Sequence, residues 1–427
     1  MIGRRRIGAC AVLAAVGLAL AGCTSSGTSG SNPSPTTSIT AGPQAQGVPL
    51  PVSGYYWGGT NHNDSGTTPG CTPGSDSIGS QYALLECKMA WAAKQHGLVR
   101  PAATTGSGSV VTTMVREYLN GPWGCKRNLQ RLQPGGDIYQ LAGQSGRKVL
   151  MLSTKCGPWS ELAAGGGSSA ADQDIKTMVD AVAQLPVPVI LIFNHEPEDD
   201  ACGPGGGEGN PDEYRAAYRQ FAADVRSEAA AQGNTRISLG WVLQSGTFDM
   251  AAQGDDVPFT SCGRLSASRL LPDNPLRNPE NFYPGDDVVD WLGTDVYTHG
   301  TDHSLSSAVQ PFVDWASTAC PAKHPATDWS CTSARASKPL ALAEFGPGLG
   351  TGQPTQQQKA AWFDQIRSDI VSGKTDLSRI KAFAYWSSGQ QNVIDSPPDS
   401  SHPALIAYTK LSLLSQATTP TLRDATG

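Results

Sequence analysis

Two apolar runs in this chain end in glutamate, and a matched pair of carboxyl groups is what acid–base and nucleophilic chemistry at one bond requires. Val187–Phe193 leads into Asn194-His195-Glu196-Pro197, and Pro339–Ala343 leads into Glu344-Phe345-Gly346. If both runs are strands, period-two alternation sets Ile192, Asn194 and Glu196 on one face of the first and Leu342 with Glu344 on one face of the second. Such carboxyls can flank a glycosidic bond. One, protonated near neutral pH, donates to the leaving oxygen; the other, ionised, attacks the anomeric carbon. A carboxyl separation of about 5–5.5 Å predicts retention of configuration, and roughly 6.5–9.5 Å predicts inversion. A single glutamate at a strand end reads equally well as a solvated or ion-paired carboxylate, so the weight lies on the pair. His195 is placed to orient a carboxylate or a sugar hydroxyl, a packing histidine being the alternative.

Aromatic residues recur at further strand ends: Tyr55, Tyr56 and Trp57, then Trp123, Trp241, Tyr297 and Trp386. Sugar rings present apolar C–H faces that aromatic planes suit, so Trp57, Trp241, Tyr297 and Trp386 are candidate substrate-binding residues. His195-Glu196-Pro197-Glu198-Asp199 lacks the second histidine of HExxH, and no CxxC pair occurs. No metal is therefore expected. No GxGxxG turn follows the first strand and no phosphate loop is present, so no organic cofactor is expected either.

The elements that must position these residues alternate in type. Eight strand candidates are read at Val52–Gly58, Val110–Tyr118, Lys148–Thr154, Val187–His195, Arg236–Val242, Val288–Tyr297, Pro339–Phe345 and Arg379–Trp386. Between them lie helix-length amphipathic stretches at Gln81–His96, Asp172–Gln184, Pro211–Gln232, Ser304–Thr318, Gln356–Ser372 and Pro403–Ser415, with a short one near Asp137–Ala142. Asn210-Pro211-Asp212-Glu213 supplies a cap, a first-turn proline and two acids at the positive end of a helix. Eight strand–helix units predict an α/β fold, a closed (β/α)8 TIM barrel in one domain, with active-site residues at the carboxyl ends of the strands. In such a ring the fourth and seventh strands are expected to face each other, bringing Glu196 to Glu344.

The first residues read as an address. Arg4, Arg5 and Arg6 precede an apolar run, Ile7–Leu20, too short to span a bilayer. Residues 1–22 are a lipoprotein signal peptide on this reading, since Leu20-Ala21-Gly22-Cys23 resembles the bacterial lipobox, whose cysteine receives lipid. Cys23 and the Ser/Thr/Gly/Pro stretch to residue 47 form a lipidated, disordered tether, 48–418 the catalytic domain and 419–427 a tail. The chain is expected to be exported and held on the outer face of the cell membrane through Cys23 alone, or in part released. The net charge of −6 has no basic block behind it, which argues against nucleic acid as a partner. A monomer is expected. Beyond Cys10 and Cys23, the cysteines Cys71, Cys87, Cys125, Cys156, Cys202, Cys262, Cys320 and Cys331 suggest four disulfides. Local closure favours sequential pairing, such as Cys320 with Cys331, among about 105 possibilities.

The segment Asn281-Phe282-Tyr283-Pro284-Gly285-Asp286-Asp287-Val288-Val289-Asp290-Trp291-Leu292-Gly293-Thr294-Asp295-Val296-Tyr297 resembles the approach to the sixth strand in glycoside hydrolase family 26 of clan A, best known for β-mannanases. His195-Glu196 and Ala343-Glu344-Phe345-Gly346 resemble that family's acid/base and nucleophile segments. The resemblance spans about Val52 to Tyr408, with its sharp motifs after Val187. It implies Glu196 as acid/base, Glu344 as nucleophile, Tyr297 touching the nucleophile and Trp386 flooring the cleavage subsite. The chain departs from familiar mannanases just before Glu196, where an arginine usual a few residues upstream is missing, and in the glycine-rich loop Gly203–Gly209. The expected function is a retaining glycosidase acting on a β-linked polysaccharide or oligosaccharide, with endo-1,4-β-mannosidase activity as the family default. The alternative is a lipid-anchored carbohydrate-binding or cell-envelope glycan-processing protein.

Overall fold

The computed structural model describes residues 47–61, 68–71, 78–98, 112–119, 124–166, 169–202, 208–252, 261–262, 276, 278–301, 303–318, 333–348, 353–387, 392–395, 399–414 and 421–422. A short strand β1 (Pro51–Ser53) precedes eight barrel strands: β2 (Tyr56–Asn61), β3 (Met114–Leu119), β4 (Val149–Thr154), β5 (Val189–Phe193), β6 (Ile237–Gln244), β7 (Trp291–Tyr297), β8 (Leu340–Gly346) and β9 (Ile380–Ser387). These eight pair in parallel, each with its chain neighbour, and β9 closes on β2 to make a barrel. The (β/α)8 architecture expected from the alternation is thus the observed one. Helices occupy the crossovers at Ile78–Gln95, Asp137–Ala142, Ala170–Ala183, Pro211–Ala231, Leu305–Ser317, Gln356–Val371 and Pro403–Ser412. Among the described residues no helix is long and apolar enough to cross a membrane.

Local chemistry explains where the helices begin. The Asn210 side chain accepts hydrogen bonds from the Asp212 and Glu213 amides while the Asn210 amide donates to the Glu213 carboxylate, and Pro211 opens the first turn. Ser169 with Asp172, and Thr355 with Gln358, repeat the same reciprocal cap. Such caps satisfy amides that a helix start leaves bare, each contributing on the order of 1 kcal/mol.

Two apolar clusters follow from the strand alternation. The inner one joins Tyr56, Met114, Val149, Met151, Ile190, Ile192, Val242, Trp291, Ala341, Ala343, Ala382 and Ala384, and it also takes in Val48. The Val48 amide donates to Ser238 Oγ at 2.7 Å, and Tyr56 Oη donates to the Pro49 carbonyl at 2.6 Å. The chain therefore enters the barrel at the pole where the strands start, away from their carboxyl ends. The outer cluster fills the layer between strands and helices.

Three disulfides tie loops at the carboxyl end: Cys71–Cys87, Cys125–Cys156 and Cys202–Cys262, all in sequential order. Each involves a loop that follows a barrel strand, where stapling restrains the walls of the mouth. Cys320 and Cys331 lie outside the described residues.

The packing of Ala170–Ala183 against Pro211–Ala231 buries two facing acids. Asp172 and Asp224 each leave one carboxyl oxygen without a hydrogen-bond partner, and Gln220 Nε2 donates to the other Asp224 oxygen at 3.2 Å. Burial, together with the Asp172 carboxyl, pushes Asp224 up to about 6 against that amide. A carboxyl raised from its ordinary value holds its proton better in the folded chain. The folded state is therefore penalised as pH rises from about 4 through about 6, and fully above that. Asp224→Asn, whose amide can donate to Asp172, is expected to raise stability near pH 7 by on the order of 2 kcal/mol and to lose the advantage near pH 4. Urea denaturation at the two pH values measures this; equal stability of both proteins at pH 7 would refute it.

Candidate active site

Inward-facing positions at the carboxyl ends of five strands converge on one mouth. Alternation that buries Met114 carries Arg116 and Tyr118 inward on β3, alternation from Trp291 carries Asp295 and Tyr297 inward on β7, and alternation from Ala382 and Ala384 carries Trp386 inward on β9. On β8 the alternation breaks. Thr294 pairs with Leu342 and Asp295 with Glu344, so Ala343 is the extra residue of a bulge. Ala343 and Glu344 consequently both face the interior. Leu342 packs in the outer cluster, against the expectation that it shares a face with Glu344. A bulge that re-aims one side chain beside a functional site is a recurrent device.

Glu196 is delivered differently from the expectation. Strand β5 ends at Phe193, and both Asn194 (φ 45°) and Glu196 (φ 53°) adopt the left-handed region. Each such non-glycine conformation costs on the order of 1–3 kcal/mol and persists only where the surroundings fix it. Here the Asn194 amide donates to the Thr154 carbonyl at 2.7 Å and the Glu196 amide to the Val242 carbonyl at 3.1 Å, pinning the turn between β4 and β6. Asn194 Nδ2 donates to Asp200 at 2.8 Å, and Asp200 pairs with Lys155 at 2.5 Å. The turn itself, not a continued strand, aims Glu196. The ring geometry also corrects the sequence reading: β5 and β8 stand three strands apart, and β5 is diametrically opposite β9.

The electrostatics distinguish the two glutamates. Glu344, 7% exposed, accepts from the Tyr118 hydroxyl at Oε1 and from the Tyr297 hydroxyl at Oε2, 2.6 Å away. His195 Nε2 lies 4.0 Å from Glu344 Oε1, and its ring sits 5.2 Å from that of Tyr118. Burial pushes Glu196 up to about 8, helped by the negative charges of Glu344, Glu198 and Asp199. Glu196 therefore holds a proton at neutral pH. Burial pushes His195 down to about 3, with the positive charges of Arg116 and Lys155 adding to the effect, so its imidazole is neutral. Burial, then Glu344 and Glu196, hold Asp295 well above the usual carboxylate range. Both phenols on Glu344 are raised, mainly by burial.

Sequence reading missed Arg116, Tyr118 and Asp295. Arg116 is buried in the barrel, where Nε donates to the Ala343 carbonyl at 3.1 Å and the guanidinium stacks on Tyr118 at 4.0 Å. A charged residue at an inward position of a barrel strand was the available signal. Trp386 meets Tyr118 edge-on at 5.7 Å and so belongs to the mouth, as does Tyr297.

Trp57 and Trp241 do not belong to it. Trp57, 1% exposed, packs among Tyr55, Phe345, Phe383 and Tyr408 in the outer layer. Trp241, 0% exposed, packs against Phe248, Tyr283 and Trp315. Neither ring is accessible to a sugar. The first barrel strand starts at Tyr56 rather than ending at Gly58, so its aromatic cluster lies at the wrong pole of the barrel. Within that strand Gly58 and Gly59 let β3 and β9 approach: a Cβ there would fall 1.9 Å from the Met114 carbonyl oxygen and 2.1 Å from that of Tyr385. Trp123 lies outside the described residues.

No family profile matches the chain, and no curated protein matches it. Solved structures to which the chain is similar include mannanases of glycoside hydrolase family 26. A modular endo-β-1,4-mannanase of Cellulomonas fimi is 18% identical, with 67% of this chain and 60% of that chain covered and a TM-score of 0.39. The chain thus spans less than two thirds of that protein. The catalytic domain of an endo-β-1,4-mannanase from Bacillus sp. JAMB-750 is 14% identical over 77% of this chain and 89% of that one, with a TM-score of 0.43. A β-mannanase from a symbiotic protist of the termite Reticulitermes speratus is 12% identical over 86% and 89%, with a TM-score of 0.44.

Proposed function

We propose that this chain is a retaining glycoside hydrolase of the family 26 type, with Glu196 as acid/base and Glu344 as nucleophile. The observation that carries the reading is the contrast between the two carboxyls. Glu196 keeps its proton at neutral pH, and Glu344 accepts two phenolic hydrogen bonds that hold an oxygen toward the mouth. In the first step a Glu344 oxygen bonds to the anomeric carbon as the glycosidic C–O bond breaks, and Glu196 protonates the departing oxygen. In the second, Glu196 removes a proton from water as that water's oxygen displaces Glu344 from the anomeric carbon. Trp386 and Tyr118 offer apolar surface to the ring being cleaved.

A β-linked polysaccharide is the proposed substrate, with β-1,4-mannan first because the sequence motifs and the named mannanases agree on it. Incubation with mannans, glucans, xylans and arabinans, with proton NMR of the first product, tests both points. A β-anomer formed initially from one of these polymers is expected. An α-anomer would replace retention by inversion. Saccharide binding without hydrolysis would favour the carbohydrate-binding alternative.

Attachment through lipid on Cys23 is proposed from the basic start, the short apolar run and the small residues before that cysteine. Cys23→Ala is expected to move the protein from the membrane fraction to the soluble fraction when it is expressed in a bacterial host, as read by blotting of fractionated cells. Unchanged membrane association would refute the anchor.

A further inference from the structure

One nitrogen and two carboxylate ligands meet in the mouth without any role in binding each other. His195, Glu196 and Asp295 each offer one donor atom, and the three atoms lie within 4.8 Å of one another. Acids alone would not make a site, but Asp295 adds an independent observation. It is 2% exposed, it points inward from the rigid strand β7, and neither of its oxygens has a hydrogen-bond partner among the described residues. A buried carboxylate without a donor is costly, and a proton or a cation is what relieves the cost. His195 supplies a ring nitrogen beside the two carboxyls.

We propose that this cluster is an inhibitory site for a divalent transition metal of the Zn²⁺ type, held by the His195 ring, Glu196 and Asp295. One imidazole with two carboxylates is a donor set suited to Zn²⁺ rather than to Mg²⁺ or Ca²⁺, which prefer oxygen alone. Zinc bonds of about 2.0–2.2 Å need donor atoms roughly 3.4 Å apart, so the three side chains close modestly around the ion. The groups facing it are Glu344, Glu198 and Asp199 on the negative side and Arg116 and Lys155 on the positive side. Negative charge is in excess. The ion would occupy a Glu196 oxygen that the glycosidic oxygen must reach, so metal and saccharide would exclude each other. It is therefore an inhibitor and not a cofactor.

Binding can be read with Zn²⁺ alone, so the test stands apart from the glycosidase reading. Isothermal titration of the chelator-stripped full chain with ZnCl₂ is expected to show one saturable site. Asp295→Asn and His195→Ala, each verified as folded by circular dichroism, are expected to weaken it at least about tenfold, a loss of about 1.4 kcal/mol for one ligand. His195 is partly exposed on a turn, so its variant keeps the test valid even if the buried Asp295 change unfolds the barrel. Co²⁺ in place of Zn²⁺ should give the intense visible bands of a low-coordinate site in the wild type and lose them in either variant. Absence of saturable Zn²⁺ binding, or wild-type affinity in both variants, would overturn the proposal.

Discussion

Glu344→Ala is expected to lower kcat/KM on the best polysaccharide by at least about 10³-fold, and azide is expected to restore turnover with the opposite anomeric outcome. The loss corresponds to roughly 4 kcal/mol of transition-state stabilisation, the size expected when a covalent step loses its attacking atom. Glu344 has no substitute within the mouth. Asp295 is the other inward acid of that wall and pairs with Glu344 in register on the adjacent strand, but it lacks the two phenol donors that hold Glu344. Truncation to alanine leaves a cavity beneath the anomeric carbon with the Tyr118 and Tyr297 hydroxyls still lining it. A small anion can enter there. Azide then forms the C–N bond on the face that Glu344 attacked, while Glu196 protonates the leaving oxygen, and the absence of a second displacement fixes the inverted azide in the product. That product distinguishes a lost nucleophile from a damaged fold, since a misfolded barrel gains nothing from azide. Full activity in Glu344→Ala would reject its role. Loss of activity with no azide product from an activated aryl glycoside, in a folded protein, would reassign Glu344 to binding.

The barrel was legible because eight apolar runs alternate with capped amphipathic stretches, and capping chemistry is local. Helix starts at Pro211, Gln356 and Pro403 are where the sequence signals put them. Which face of each strand turns inward was less legible. Strands of a barrel are buried on both sides and read as unbroken apolar runs, so alternation cannot say which set faces the axis. Trp57 and Trp241 stand out as aromatic residues near strand ends, yet Tyr56 and Val242 beside them hold the inward positions. The bulge at Ala343 and the left-handed turn at Asn194 and Glu196 were invisible for a related reason. Both depend on hydrogen bonds to neighbouring strands, not on residue type. Glu196 and Glu344 reach the same mouth although neither segment obeys the strict alternation that the sequence suggests. Arg116 and Tyr118 carry no local motif, Asp295 sits unremarked inside the segment that ends at Tyr297, and only closure of the ring brings β3 and β7 to the same mouth.

The second large effect concerns the proton on Glu196. Its carboxyl is raised to about 8 by burial and by Glu344, Glu198 and Asp199, so it is a competent acid below that pH and loses its proton above it. The alkaline limb of kcat/KM is accordingly expected to fall through about pH 8 in the wild type, where an ordinary carboxyl would have lost its proton long before. Glu196→Gln cannot exchange a proton, and its loss should be about 10²–10⁴-fold for unactivated polysaccharide, the range for removal of general acid–base help. The alkaline limb should vanish with it. An aryl glycoside with a good leaving group needs no protonation, so its first step should survive in the variant, while the second still needs a base to activate water. Rapid-quench measurements should therefore show a burst of phenol equal to the enzyme concentration, followed by slow turnover as the Glu344 ester accumulates. A variant that is equally slow on both substrates, without a burst, would place Glu196 outside proton transfer. A burst on the aryl substrate with the pH limb intact would assign that limb to another group, for which Asp295 is a candidate, raised by burial and then by Glu344 and Glu196.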